Sequence, residues 1–594
     1  MITAFTRSTT ARLAWLFLPL VAGCRAEKST AGRETAATPA AEPAFVERAA
    51  QLAIDFVHFN GMSGRYYVPE MMGPGVALLD FDNDQDLDLY FVQGRMLEPG
   101  RTIADSPFPT SHEIPLTDRL YRNELIGSPD GRRGLRFTDV TSSSGLLPAS
   151  GYGQGVTAGD FDADGYVDLY VTRFGSNQLL HNDGRGGFTD VTAASGTDDP
   201  RWSVAAAFVD VDRDGLLDLY VGNFLSFRLE GHQPCASEAG WPDYCGPLSY
   251  ASEPDRLLRN RGDGTFVDVT AASGLRSRVG NTLGVVPADF DGNGWVDLFV
   301  ANDSQPNFLW LNQGNGIFRE SALASGCAVS ESGAAQANMG VDAGDVDNDG
   351  DEDVFISHLT LETHTLYRNL GAGMFEDASV RSGIAVPSAP FTGFGAAFLD
   401  YDNDGWLDVA VTNGTINRQE RLLTRGDPLA LAQRNQLFHN QGNGTFHEVV
   451  GEAGDLTSIE GVGRGLAIGD LDNDGDADVV IANNAGPARV YVNQSGSRKH
   501  WIGLRLVAGE PPSDALGAWV EVVPVVGAPL GRRVRVAGTY VSSNDPRVLF
   551  GLGDRAEVNR VRVLWPDTSV EVFTGLAVDR YHVLRRGQGR PEAE

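Results

Sequence analysis

Along most of this 594-residue chain, apolar runs of four or five residues alternate with stretches dominated by Gly, Asp and Asn. GVALL at 75–79 and LYFV at 89–92 form the first pair. The pairing returns as GVTAG with LYVT, AAAFV with LYVG, GVVPA with LFVA, GVDAG with VFIS, GAAFL with VAVT and GLAIG with VVIA, the last ending at residue 482. Apolar runs this short, bounded by turn formers, predict strands. A third element follows each pair: LYRN (120–123), LLHN (179–182), LLRN (257–260), LWLN (309–312), LYRN (366–369), LFHN (437–440) and VYVN (490–493). Most of these enter an N-x-G-x-G turn. A fourth element then reads FTDVT (137–141), FTDVT (188–192), FVDVT (266–270), FRESA (318–322), FEDAS (375–379) and FHEVV (446–450). Four strands repeated seven times predict an all-β fold, a seven-bladed β-propeller over residues 45–495. Only six fourth strands follow a blade. FVERA at 45–49 precedes the first blade and supplies the seventh, so the N-terminal strand is expected to close the ring and cover an exposed edge. Beyond residue 495 the pattern changes to alternation, in WIGLRLV, AWVEVVPVV, RRVRVAG and VNRVRVLW. This predicts a separate small β domain over 496–586 with a tail at 587–594.

Between the first and second strands of every blade lies an acidic nonapeptide. The copies are DFDNDQDLD (80–88), DFDADGYVD (160–168), DVDRDGLLD (210–218), DFDGNGWVD (289–297), DVDNDGDED (345–353), DYDNDGWLD (400–408) and DLDNDGDAD (470–478). Two like charges 4 Å apart repel by ~4 kcal/mol near a protein surface, so such loops call for a cation. Ca²⁺ takes six to eight oxygens in irregular geometry and suits the loop better than Mg²⁺. Side chains at positions 1, 3, 5 and 9 and the carbonyl of position 7 are the candidate ligands. They are Asp80, Asp82, Asp84, Asp86 and Asp88; Asp160, Asp162, Asp164, Tyr166 and Asp168; Asp210, Asp212, Asp214, Leu216 and Asp218; and Asp289, Asp291, Asn293, Trp295 and Asp297. The later blades add Asp345, Asp347, Asp349, Asp351 and Asp353; Asp400, Asp402, Asp404, Trp406 and Asp408; and Asp470, Asp472, Asp474, Asp476 and Asp478. Gly at position 6 permits the sharp turn, and Gln85 is the one exception. An EF-hand needs a bidentate Glu at position 12. Position 12 here is Phe91, Val171, Val221, Val300, Ile356, Val411 or Ile481, so that reading fails.

These repeats resemble FG-GAP/VCBS repeats, the calcium-binding blades of the integrin-α propeller type. The resemblance implies up to seven calcium ions in a mainly structural role. Gly517-Ala518, YVSSNDP at 540–546, FGLG at 550–553 and WPD at 565–567 resemble the ASPIC/UnbV domain that follows such propellers in the cartilage acidic protein family and its bacterial relatives.

Composition narrows the function. Asp and Glu total 79 against 47 Lys and Arg, a net charge of −32, which excludes nucleic-acid binding through a basic face. The N-terminus reads as an export signal, with Arg7 and Arg12 before the short apolar run LAWLFLPL. Val21-Ala22-Gly23-Cys24 resembles a bacterial lipobox, which makes 1–24 a lipoprotein signal segment ending at the lipobox Cys and implies that Cys24 is lipidated and becomes the first residue after cleavage. Arg25 rather than Asp after the Cys favours the outer membrane or cell surface. Residues 25–44, rich in Ala, Thr, Pro and Glu, read as a disordered tether. Membrane contact is then through the lipid only. Cys235 and Cys245 enclose a short insertion and are expected to form a disulfide, with Cys327 left as a small buried residue.

The expected function is an envelope binding, adhesion or scaffold protein for a protein or glycan ligand of the envelope or matrix. The alternative is a propeller-based extracellular hydrolase or lyase. The sequence has no C-x-x-C-H, G-x-S-x-G or H-E-x-x-H. His358, Glu362 and His364 in HLTLETH are the nearest approach to a metal cluster, and follow a strand where an ordinary loop is expected. Arg261-Gly262-Asp263 and Arg425-Gly426-Asp427 spell an adhesion tripeptide, the first inside the repeat's own turn and read as coincidence.

Overall fold

The computed structural model describes residues 42–107, 116–127, 133–146, 151–237, 240–416 and 430–592. The export segment, Cys24, the tether through residue 41 and Arg425-Gly426-Asp427 lie outside those residues.

The first blade is a four-stranded antiparallel sheet of Val76–Leu79, Asp88–Phe91, Arg119–Asn123 and Phe137–Asp139. Five more sheets of the same order follow, ending with Gly393–Leu399, Asp408–Asn413, Gln436–Asn440 and Phe446–Glu448. The seventh takes Gly463–Gly469, Asp478–Asn483 and Arg489–Asn493 from the end of the repeat array, and its outer strand Phe45–Glu47 from the start. Phe45 pairs with Asn493. The other six blades have the same register, an outer-strand Phe facing a third-strand Asn, as in Phe137 with Asn123 and Phe188 with Asn182. The architecture is a seven-bladed β-propeller.

The first strands are buried at almost every position because each sheet is covered by a neighbour on both sides, which is why they read as unbroken apolar runs. Across the seam, Val76, Leu78 and Leu89 of the first blade pack with Ala467, Val480 and Val490 of the seventh. Outer strands bury their Phe and expose the next residues, as in Phe188, Thr189 and Asp190. The end of the stretch expected to be tether is packed against the seventh blade. Ala44 is buried, its N–H donates to Glu452 O at 2.8 Å, and its carbonyl accepts from Gln494 N at 2.7 Å.

Residues 500–591 form a second β unit. One sheet joins His500–Ala508 to Ser513–Asp514, Val548–Gly553 and Tyr581–Arg585; the other joins Trp519–Pro524, Leu530–Arg533, Val558–Leu564, Val570–Phe573 and Arg590–Pro591. Ile502, Leu504, Val520, Val522, Phe550, Val561, Val563 and Trp565 fill the space between them. The last strand lies in the segment expected to be a tail. Arg590 pairs with Val572, so the domain runs past residue 586.

Candidate metal centres

Each acidic loop is a tight turn with two left-handed residues. Position 4 has φ between 53° and 69° in all seven loops, and position 6 between 74° and 99°. The carboxylates organise this turn. One oxygen at position 1 accepts the N–H of position 6 at 2.8–3.1 Å. The side-chain oxygen at position 5 accepts the N–H of position 7 at 2.7–3.3 Å. The aspartate at position 9 is the anchor. One of its oxygens takes the N–H of position 2 at 2.9–3.2 Å. The other takes the N–H of the third-strand Asn at 2.7–2.8 Å. This last aspartate therefore ties the loop to its own blade as well as facing its centre.

What remains is a set of oxygens without donors. Asp80, Asp82, Asp162, Asp210, Asp212, Asp289, Asp347, Asp402 and Asp472 each have a buried Oδ1 with no hydrogen-bond partner. Asp80, Asp82 and Asp88 bring one oxygen each within 4.8 Å of one another, as do Asp160, Asp162 and Asp164, and Asp210, Asp212 and Asp218. Burial and neighbouring carboxylates push Asp80 and Asp210 up to about 6, and Asp345 to about 7 although Arg532 opposes this. Buried carboxylate oxygens without donors, converging in one loop, fit a hard divalent cation, which takes oxygen donors and tolerates irregular geometry. The side chains of positions 1, 3, 5 and 9 would hold it.

The loops are not equivalent, for a reason missed in the sequence. In five blades the residue before the third-strand Asn is a His or Arg that interacts with the loop carboxylates. His181 Nδ1 lies 3.2 Å from Asp168 and 3.4 Å from Asp162, and its hydrogen bond to Asp168 pushes it up to about 9. His439 lies 3.1 Å from Asp408, Arg259 3.8 Å from Asp212, and Arg368 pairs with Asp347. Blades four and seven carry Leu311 and Val492 there and have no cation at that position. In blade seven, burial and the other carboxylates of the loop hold Asp472, Asp476 and Asp478 well above the usual carboxylate range.

The C-terminal domain sits on these loops. Arg505 Nη1 reaches Asp80 Oδ2 at 3.2 Å, Ser513 Oγ donates to Asp160, and Tyr581 OH donates to Asp470 Oδ2 at 2.9 Å. Arg533 and Arg535 each meet Glu352 at 2.6 Å. The alternation in RRVRVAG is now explained: Val534 and Val536 enter the domain core while Arg533 and Arg535 face the acidic ring. From the same domain, residues 539–545 run down the axis of the propeller. Thr539 N–H donates to Val341 O, Val156 N–H to Val541 O, Ser543 N–H to Val76 O, and Leu78 N–H to Ser543 O. Gly75 makes room for this plug, since a Cβ there would lie 2.0 Å from Val541 O.

Comparison with known proteins agrees with this division. The FG-GAP-like repeat family matches residues 160–221, 240–300, 289–356 and 429–481, and the family described as ASPIC and UnbV matches 509–591. The chain is thus similar to FG-GAP-like repeats in its propeller and to the ASPIC and UnbV domain after it. Cartilage acidic protein 1 of Mus musculus and of Homo sapiens are each 27% identical over 531 residues, covering 84% of this chain and 71% and 69% of theirs. Among solved structures, an Agrocybe aegerita lectin described as recognising terminal N-acetylglucosamine aligns over 69% of this chain and 85% of its own, at 15% identity and a TM-score of 0.37.

A second missed feature links the FG-GAP blades to one another. The third-strand Asn donates from Nδ2 to a carbonyl of its own loop and to the position-2 carbonyl of the preceding blade. Asn182 reaches Phe81 O, Asn260 Phe161 O, Asn312 Val211 O, Asn369 Phe290 O, Asn440 Val346 O and Asn493 Tyr401 O, at 2.7–3.0 Å. Asn123 closes the circle on Leu471 O at 2.9 Å. The Asn that ends every LYRN-type element was the visible signal.

The other singled-out residues are placed as follows. Cys235 and Cys245 form a disulfide beside a two-stranded hairpin, and Cys327 is buried. His358 and His364 are buried, and burial holds both rings below the usual imidazole range. His358 contacts Ala337 O at 3.3 Å and Thr365 Oγ1 at 2.9 Å, while Glu362 accepts Ala337 N–H at 2.8 Å. Asp263 of the first Arg-Gly-Asp caps Thr265 within the repeat's turn.

Proposed function

We propose that this chain is an exported, lipid-anchored, calcium-binding propeller that acts as a binding or scaffold protein rather than an enzyme. The observation that carries the reading is the fate of the acidic ring. Its carboxylates face inward, toward one another and toward the arginines of the ASPIC and UnbV domain, so their work is structural. Calcium is supported by the donorless carboxylate oxygens and the all-oxygen donor sets of the loops. Export and the lipid anchor rest on the Arg7-to-Cys24 segment of the sequence. With one face capped, the surface left for a protein or glycan of the envelope or matrix is the opposite face. There Trp241 of the disulfide insertion and Leu248 just after it are exposed, at 73% and 70%. Aromatic anchors of this kind carry much of the energy of binding surfaces.

The test is capture from envelope or matrix extract by the soluble chain beginning at residue 25, with and without calcium, beside a Trp241→Ala variant. Specific capture that the variant loses and the chelator weakens is expected. Capture unaffected by both changes would remove the assignment of this face. Elemental analysis of the purified chain that finds no calcium would remove the metal.

A further inference from the structure

The plug does not fill the whole channel. Tyr540 at its far end is fully buried, stands 5.0 Å from the Phe394 ring, and donates its hydroxyl to Met72 O at 2.9 Å. On the side away from the acidic loops there is a cavity of about 210 Å³ at the axis. Met71, Met72, Met339, Leu283, Phe224 and Phe394 are among the apolar side chains of its wall. Two carboxylates line it. Asp243, at the rim in the disulfide hairpin, accepts Tyr244 N–H at 2.9 Å. Asp303 lies in the wall itself, where one oxygen accepts the Ser304 hydroxyl at 3.0 Å. Among the described residues no Lys, Arg or His pairs with Asp303, and Glu362 nearby adds a second negative charge. Burial pushes the Asp303 carboxyl up to about 7, as for an acid held without a counter-charge.

A carboxylate set among thioethers and phenyl rings selects its partner. A bare divalent ion needs six or more oxygens, and this wall does not supply them. A neutral apolar molecule would fill the cavity but gain nothing from the carboxylate. A cation whose charge is carried on an apolar body satisfies both parts. Aromatic faces attract ammonium groups, and Met side chains adapt to irregular alkyl shapes. The net charge of −32 raises the local concentration of any cation.

We propose that this axial cavity binds a small organic ammonium cation, with Asp303 as the counter-charge and the Met and Phe side chains as the apolar wall. The site is separate from the acidic loops and does not depend on their metal. Calorimetry on the full soluble chain in saturating calcium tests it, with choline, tetramethylammonium and butylammonium as probes and 3,3-dimethylbutan-1-ol as the neutral isostere of choline. At least one ammonium probe is expected to bind saturably, and choline at least tenfold more tightly than its isostere. Asp303→Asn should weaken the bound cation tenfold or more, while Asp243→Asn changes it less than threefold. Thermal melts of both variants check that the fold persists. Equal binding of choline and its isostere, an unchanged affinity in a folded Asp303→Asn, or no saturable binding of any of the three cations overturns the proposal.

Discussion

Asn260 shows how much one side chain does in this ring. Its N–H is held by Asp218, its Nδ2 donates to Phe161 O at 2.7 Å and Leu217 O at 3.0 Å, and its Oδ1 accepts Gly262 N–H at 3.0 Å. Asn260→Ala would leave two carbonyls without donors in a site where Asn260 itself is only 3% exposed. Lost buried hydrogen bonds of this kind cost roughly 1–3 kcal/mol each, so a loss of about 2–4 kcal/mol is expected. Asn260→Asp should be worse, because it sets a second carboxylate beside Asp218. Melting temperatures in calcium should fall in that order, and unchanged melting of both variants would show that the clasp carries no stability. Gln85 is the converse case. It holds φ +74°, where the other six loops have glycine. A non-glycine residue in this region costs ~1–2 kcal/mol, so Gln85→Gly is expected to raise stability by about 1 kcal/mol. A lower melting point would mean that the Gln side chain makes contacts worth more than the strain.

The outer strand of the seventh blade is an element supplied from a distance of more than four hundred residues. Phe45 is fully buried and packs 6.2 Å from Tyr401, and Glu47 N–H donates to Asp455 at 2.9 Å. A chain beginning at residue 42 should melt as the longer chain does. A chain beginning at residue 49 loses the ladder to Arg489–Asn493 and the burial of Phe45, about 3–5 kcal/mol by analogy with truncating a core Phe, and leaves a bare edge. Equal melting of the two would mean that the edge is sealed by something else. This strand was legible because six fourth strands were counted for seven blades and FVERA matched the missing one. The blades themselves were legible because their strands are short, apolar and punctuated by glycine. The plug was not. YVSSNDP is polar at 542–545 and has no strand period, because its hydrogen bonds go to the inner strands of three different blades and not to a sheet of its own. The cap was hidden for a related reason: the partners of Arg505 and Arg533 lie far away in sequence, and pattern along the chain does not reveal them.

At the scale of the molecule, the acidic ring is where folding, charge and the C-terminal domain meet. Without metal, the position-1 carboxyls titrate high, Asp80 and Asp210 at about 6 and Asp345 and Asp470 at about 7, mainly through burial. Unfolded aspartates titrate near ~3.9. Between those values the folded chain binds more protons than the unfolded chain, so its stability falls as pH rises from about 4 to about 7. On the proposed function, calcium bound in the loops would replace those protons and remove the penalty. In chelator the melting temperature is therefore expected to drop between pH 5 and pH 8, while in millimolar calcium it should not. The gap between the two conditions should widen with pH, each occupied site adding ~2.7 kcal/mol at a hundredfold excess over its Kd. The cap shares the same side chains: Arg505 holds Asp80 and Tyr581 holds Asp470, so carboxylates that splay apart without metal lose their fit to it. Hydrogen exchange at residues 539–545 should accordingly quicken in chelator at pH 8 and slow again when calcium is restored. If the arginines of the cap already compensate the ring, the melts with and without calcium will coincide at both pH values and exchange in the plug will not respond. That result would assign the counter-charge to the protein alone.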